Sequence, residues 1–230
     1  MSMVEMGNKS LYKALFMILA ILMASSISGI SQERDATMQF YLDNTAFVFD
    51  QNYLFNSNRL FSLKIRSIFE QTDYRGELKK TDTALYTGYF TGDRLDSITI
   101  IDSASSGENT PPNSYAPFLP WDETLDFYFY PNDTGAGRLA IGYESPASET
   151  TIVLSGFINI NRDDYVTQGI FRHSRDEEGM KRLSDVYLFE RVDKIIRPTR
   201  FEKYRVKMAF LGHQYTRHIY EFFDYNIEMP

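Results

Sequence analysis

The sequence predicts a mainly β protein of antiparallel strands, with one or two helices. Three observations lead to this fold class. About ten segments alternate apolar and polar residues, as half-buried antiparallel strands do. Turn residues separate these segments about every 8–12 residues, the spacing of a sheet, sandwich or barrel. One N-terminal stretch instead repeats aromatic residues every seven positions, which favours a helix.

The helix is predicted within Met38–Phe61. Phe40, Phe47, Leu54 and Phe61 are spaced by seven residues and would line up along one helical face. Leu42, Phe49 and Asn56 form a second, less apolar line.

The strands follow in order. The segments "TALYTGYF" and "RLDSITII" flank Gly92-Asp93, a pair suited to a tight hairpin turn. "LDFYFY" alternates strictly, with Phe127 and Phe129 on one side, and "TIVLSGFINI" places Ile158 and Ile160 together. In "KYRVKMAF" the apolar side alternates with a basic side, and we expect the apolar side to be buried. The apolar side carries Tyr204, Val206, Met208 and Phe210, and the basic side carries Lys203, Arg205 and Lys207.

A long segment, Ser103–Trp121, interrupts the strands. It is rich in Ser, Asn and Pro, and proline cannot donate to a strand ladder. Loops of this length are uncommon in compact domains and often serve as lids or binding loops.

The N-terminus predicts export. Lys9 and Lys13 precede the apolar run Ala14–Ala24, and small residues follow it, as in a secretory signal peptide. The run is shorter than the ~20 residues that cross a bilayer. Cleavage after Ser26 or Ser28 fits the small residues, so we expect residues 1–28 to be removed and 29–230 to form one β-rich domain without a stable membrane span.

Composition narrows the setting. The chain has no cysteine, so we expect no disulfide framework and no lipid-bearing cysteine, and a bacterial periplasm is the expected location. The net charge is −7, and loss of Lys9, Lys13 and Glu5 makes it −8. Such an acidic chain disfavours nucleic acid as a partner.

The stretch "YPNDTGAGRLAIGY" resembles two catalytic or binding motifs. "DTG" at Asp133 is written like an aspartic-protease loop, but that chemistry needs a second carboxylate and a buried setting. Gly135, Gly137 and Gly142 do not have dinucleotide-binding spacing. We therefore expect a polar turn between two strands, and an aspartic protease through Asp133 stays a minor alternative.

The three histidines do not form a recognisable metal-binding or catalytic motif. His213 and His218 are five residues apart, which places them on opposite faces of a strand, and His173 is distant in sequence. We expect no metal site, no cofactor and no catalytic residue.

Aromatic residues are the strongest remaining signal: 18 Phe, 16 Tyr and one Trp. They predict either a well-filled β core or an apolar cavity inside a curved sheet. The residues that we expect to line such a cavity are Trp121, Phe127, Phe129, Ile158, Phe210 and Phe222.

The C-terminal third adds a resemblance to a known family. "FERVDKIIRPTRFEKY", followed by "HIYEFFDYNI", resembles the outer-membrane lipoprotein-sorting (LolA-like) family. Lys194 stands where that family usually has Gly, and the spacing after Pro198 is long. The resemblance implies an open or half β-barrel wrapped around an N-terminal helix, and a periplasmic carrier of lipids or lipoproteins.

These observations predict an exported, non-enzymatic protein that binds an acyl chain or lipoprotein in an apolar cavity. The alternative is a solid-core β protein that serves as an interaction or structural module of the envelope. The sequence leaves the oligomeric state open.

Overall fold

A computed structural model describes residues 36–103, 115–129, 137–146, 152–176, 181–209 and 212–228. The chain divides into two compact units, Met1–Tyr41 and Leu42–Pro230, and the first is described from residue 36 on. The predicted signal peptide, Asp133 and Phe210 lie outside the described residues. The division into a leader and one mature domain therefore stays a prediction.

The helix, α1, is described over residues 36–52. Its buried residues are Met38, Leu42, Thr45 and Phe49, at spacings of four, three and four that follow one helical face. Phe40 and Phe47 are 54% and 66% exposed. The predicted helix is confirmed for these residues, and the second line of the repeat, with Leu42 and Phe49, is the one that packs.

The helix ends where the chain turns into the sheet. Asn52 donates from Nδ2 to the carbonyl oxygen of Val48 at 2.8 Å, and Tyr53 forms an isolated bridge with Ile196. A short 3-10 turn, Leu54–Asn56, follows, and Phe61 then lies in the first strand. The predicted extension of the helix to Phe61 is therefore wrong.

Within the described residues, ten strands form one antiparallel sheet, which confirms the predicted mainly β, open-barrel class. The strands are β1 (Leu60–Thr72), β2 (Leu78–Thr91), β3 (Arg94–Ser103), β4 (Asp126–Phe129), β5 (Arg138–Glu144), β6 (Ile152–Asn161), β7 (Thr167–Asp176), β8 (Lys181–Val192), β9 (Ile195–Ala209) and β10 (Gly212–Ile227). Their order is β3-β2-β1-β10-β9-β8-β7-β6-β5-β4, so β3 and β4 are the two edges and the barrel is not closed.

Tight turns and bulges shape the sheet. Gly92 joins β2 to β3 with φ of 59°, as the sequence predicted for this hairpin. A Cβ at Gly92 would also lie 2.5 Å from the carbonyl oxygen of Ser57, so only glycine fits there. Register shifts occur in the pairs β1–β10 and β8–β9, and such bulges bend strands.

The topology explains the long segment before β4. Because β3 and β4 lie at opposite edges, residues 104–125 must connect one edge of the sheet to the other. Its described part includes a 3-10 turn at Pro120–Asp122. Among the described residues, we find no helix that is both long and apolar enough to cross a membrane.

Candidate functional site

One face of the sheet, which we call the inner face, packs against the chain's own aromatic residues. Phe49 of α1 contacts the ring of Phe189 of β8 at 5.2 Å between centroids, and Trp121 at 5.5 Å. Tyr115 stacks on Phe55 at 5.4 Å and meets Phe90 of β2 edge-on at 4.8 Å. We call residues 42–52 of α1 together with residues 115–122 the cover, because they lie on this face.

The cover is held mainly by ring contacts. The hydroxyl of Tyr53, the residue that follows α1, donates to the carbonyl oxygen of Tyr115 in the cover at 3.0 Å. By contrast, Thr45 Oγ1, the Tyr115 hydroxyl and Trp121 Nε1 are buried without a hydrogen-bond partner among the described residues. Each such buried polar group costs about 1–3 kcal/mol. The cover therefore contains three buried polar side-chain atoms whose hydrogen-bonding capacity is unused among the described residues.

The strand register places one apolar residue from each of seven neighbouring strands side by side under the cover. We call this set the apolar row. Its members, from β4 to β10, are Phe129, Ile141, Ile158, Ile170, Tyr187, Phe201 and Tyr220. Burial raises the pKa of Tyr187 to about 12, so its hydroxyl stays neutral at physiological pH. The row is an uncharged surface that spans six strand spacings, about 29 Å.

The structure places five of the six predicted cavity residues around this surface. Phe129 and Ile158 belong to the apolar row, and Phe127 pairs with Tyr143 in the next row. Phe222 packs edge-on against Phe201 at 4.9 Å, and Trp121 belongs to the cover. Phe210 lies outside the described residues. The structure brings these residues to one face, and whether they bind a ligand stays a prediction.

A second row of residues was not predicted from the sequence. We call it the charged row, and its members are Arg172, Asp185, Lys203 and His218. These residues pair directly across β7, β8, β9 and β10. The charged row lies two residues along each strand from the apolar row, about 7 Å away. It is therefore on the same inner face.

The charged row overturns the predicted orientation of β9. Lys203 and Arg205 share the inner face with Phe201, whereas Tyr204 lies on the outer face and is 37% exposed. The alternation was visible in the sequence, but its direction depends on the partners. Phe201 pairs with Tyr187 and Tyr220, and this pairing turns the basic side of β9 inward.

Asp185, in the charged row, contacts two arginines on the inner face. Arg205 donates from Nη1 to Asp185 Oδ1 at 2.7 Å, and Arg172 Nη1 lies 3.7 Å from Oδ2. Arg172 also lies over the ring of Phe118, 4.5 Å from its centroid. Burial lowers the pKa of Lys203; the charge of Asp185 opposes this, and Arg205 and Arg172 add to it.

The outer face has a balanced network of ion pairs. Arg217 contacts Glu202 at 2.9 Å and Glu70 at 3.3 Å, and Arg200 contacts Glu202 at 2.6 Å. Burial alone would raise the pKa of Glu202, but the hydrogen bonds from Arg217 and Tyr204 and the charge of Arg200 keep it below its usual value. An open cavity of about 540 Å³ lies beside this network, lined in part by Tyr74, Tyr204 and Tyr215.

The histidines lie far apart, as their spacing indicated. His218 faces inward next to Phe69, with 4.7 Å between ring centroids, and His213 is exposed on the opposite face of β10. His173 Nδ1 lies 2.9 Å from the hydroxyl of Ser184 on the outer face.

Comparison with solved structures finds loose matches at low sequence identity. The chain is similar to a putative outer membrane lipoprotein-sorting protein domain from Vibrio parahaemolyticus, with a TM-score of 0.41, 9% identity, and coverage of 82% of this chain and 92% of that chain. It is also similar to MucB in complex with MucA(peri), with a TM-score of 0.24, 10% identity, and coverage of 84% and 99%. For the MucA/MucB complex of Pseudomonas aeruginosa the TM-score is 0.23, at 9% identity and coverage of 82% and 100%.

A scan with models of protein families gives no match, and a search of curated proteins gives none either. The loose resemblance to the lipoprotein-sorting family is confirmed at the level of the fold. At these identities the likeness concerns the fold alone.

Proposed function

We propose that this chain is an exported, non-enzymatic binding protein that holds the acyl chain of a lipid or lipoprotein on the inner face of its open sheet. The observation that carries the proposal is the apolar row, which crosses seven strands without a charged residue. A bilayer core of ~30 Å is two acyl chains deep, so a row of about 29 Å exceeds the length of one chain.

The cover would give way to the ligand. It contacts the inner face through aromatic rings, and three of its buried polar atoms have no partner among the described residues. An acyl chain that displaced Trp121 and Tyr115 from this face would replace apolar contacts with apolar contacts. The displaced hydroxyl and indole groups would gain hydrogen bonds to water.

The proposed setting is the periplasm. The N-terminal segment is built like a signal peptide, and the mature chain has neither cysteines nor the positive charge that suits nucleic acid. In this proposal the protein carries or presents an apolar ligand and catalyses no reaction.

The proposal is tested with the purified mature domain by native mass spectrometry and by displacement of a fluorescent fatty acid. We expect a bound or displaceable long-chain lipid, and palmitate should compete where hexanoate does not, because the gain scales with the buried chain, about 0.8 kcal/mol per CH₂.

Neighbouring residues of β4 supply a matched pair of variants. Phe129→Asp places a charge in the apolar row and should weaken binding at least tenfold, the cost of leaving a charge against apolar surface. Tyr128→Asp, one residue away on the outer face, should leave binding unchanged. Absence of displaceable lipid, or equal effects of the two variants, would overturn the proposal.

One observation favours a second candidate, the solid-core interaction module. Phe49, Phe90, Tyr143 and Phe201 are almost completely buried, so the chain's own aromatic residues already fill much of the inner face. A mature domain that contains no bound lipid and does not bind the fluorescent fatty acid would support this candidate.

A further inference from the structure

Three cations surround Asp185 on the inner face, and they exceed the carboxylate charge available to them. Arg172, Lys203 and Arg205 surround Asp185, which is 3% exposed and contacts both arginines. At the same level of the sheet, Asp82 lies three strands away from Lys203 and has Lys80 at 3.6 Å. The described part of this site therefore has an excess of about two positive charges.

The outer face shows that this excess is local. There the four cations Lys64, Arg66, Arg200 and Arg217 are paired with the four acids Glu70, Glu202, Glu221 and Asp224. The whole chain has a net charge of −7. Positive charge concentrated on the inner face of an acidic protein needs a compensating anion.

The cations have donors available for a ligand. Arg172 Nε is buried without a hydrogen-bond partner in the described part of the chain. The side chains of Arg172 and Arg205 are 30% and 28% exposed, so solvent reaches them. A planar guanidinium binds carboxylate and phosphate groups through paired N–H donors, and such charge-assisted hydrogen bonds are the stronger kind.

The position of these cations defines the kind of ligand. The charged row lies about 7 Å from the apolar row on the same four strands. A molecule whose chain lies on the apolar row and whose head group turns sideways to Arg172 and Lys203 must have an apolar chain and a negative end. Neutral lipids would satisfy only the first requirement.

We propose that Arg172, Lys203 and Arg205 bind the anionic head group, carboxylate or phosphate, of an amphiphile whose chain lies on the apolar row. This inference rests on the proposed function, since it names the class of lipid that the inner face selects. Asp185 orients Arg172 and Arg205 and limits the repulsion among the three cations.

The test compares three ligands with the same chain length: palmitate, palmitoyl lysophosphatidate and monopalmitin. The wild-type domain should bind both anionic ligands more tightly than the uncharged monopalmitin. Arg172→Gln combined with Lys203→Gln should weaken the binding of the anionic ligands at least tenfold, about the value of one charge-assisted hydrogen bond. Binding of monopalmitin should not change. A larger loss for palmitate than for the lysophosphatidate would identify a carboxylate ligand, and the reverse a phosphate.

Two control variants separate charge from fold. Lys64→Gln combined with Arg66→Gln removes the same charge from the outer face and should leave binding of all three ligands unchanged. Arg172→Lys keeps the charge and should retain most of the preference for anionic ligands. Circular dichroism and thermal unfolding of each variant show that it is folded.

The outcomes distinguish the two proposals. If monopalmitin binds as tightly as palmitate and the inner-face variants affect neither, the head-group site is overturned while acyl-chain binding stands. If none of the three lipids binds, the proposed function fails. Inorganic phosphate then tests the cations alone: phosphate binding that is lost in the Arg172→Gln, Lys203→Gln variant would keep the anion site, and no phosphate binding would overturn it.

Discussion

Lys203 illustrates how one residue can oppose stability and serve binding. Its ammonium group is partly buried between Arg172, Arg205 and Asp185, and burial is the main cause of its lowered pKa. A lowered pKa means that folding works against the charged form of this lysine.

We therefore predict that Lys203→Met stabilises the protein at pH 7. Removing a desolvated charge while leaving Asp185 paired with Arg205 should increase the free energy of unfolding by less than about 1 kcal/mol, because Lys203 is only partly buried and solvent screens its charge. Thermal unfolding measures the change. Lys194→Met, in the exposed turn between β8 and β9, should leave Tm unchanged.

The sign of the pH dependence follows from the same shift. Between the lowered pKa of Lys203 and its usual value of 10.5, the unfolded chain binds more protons, so wild-type stability rises with pH. The advantage of Lys203→Met should therefore shrink as pH rises towards 10.5. A lower Tm for Lys203→Met at pH 7 would instead make Lys203 a stabilising partner of Asp185.

A single glycine shapes the β6 end of the charged row. A Cβ at Gly156 would lie 1.9 Å from the carbonyl oxygen of Phe171 and 2.5 Å from the Tyr143 hydroxyl. The ring of Tyr143 lies over this glycine and its hydroxyl donates to the same Phe171 carbonyl oxygen at 2.8 Å. Tyr143 thus packs against the strand beside Arg172, which pairs with Gly156.

At the scale of elements, α1 buries one side of the helix and exposes the other. Phe47 and Phe49 are two residues apart, yet Phe47 is 66% exposed and Phe49 is fully buried against Phe189 and Trp121. Two residues correspond to about 200° around a helix, so these side chains point to opposite sides.

This contrast gives a paired prediction. Phe49→Ala should reduce the free energy of unfolding by about 3–5 kcal/mol, because it leaves a cavity under the cover. Phe47→Ala should change it by no more than about 0.5 kcal/mol. Urea unfolding of the two variants measures the difference. Similar losses in both variants would mean that α1 also packs through the face that carries Phe47.

The sequence predicted the existence of these elements better than their orientation. The alternation in Asp126–Phe129 and Ile152–Asn161 identified β4 and β6, since local periodicity is sufficient for a strand. The sides of β9 were assigned the wrong way round, because the inward side is set by pairing with β8 and β10. The charged row was missed for this reason, as its members are far apart in the sequence.

At the scale of the whole sheet, one long-range pairing determines the topology. β1 pairs with β10, so the first and last strands lie side by side in the interior of the sheet, and β3 and β4 are the edges. Hairpin turns such as Gly92-Asp93 could be recognised in the sequence, whereas this pairing joins residues such as Ile65 and Phe222. The pairing also makes the segment between β3 and β4 a connection between edges, which accounts for its length.

The cover and the two rows together make up the proposed binding surface. The predicted cavity residues Phe129, Ile158 and Phe222 lie on this inner face, and Trp121 is part of the cover. Their aromatic and apolar character could be read from the sequence. Their convergence on one face depends on the register of seven strands.

Trp121 allows the central claim, that an acyl chain lies on the inner face, to be measured directly. It is the only tryptophan in the chain and packs against Phe49 in the cover, so its fluorescence reports on this surface alone. We predict that dibrominated stearate quenches Trp121 fluorescence in a saturable way, that unbrominated stearate does not quench it, and that added palmitate reverses the quenching. No saturable quenching of the folded domain, or quenching that palmitate leaves unchanged, would contradict the account.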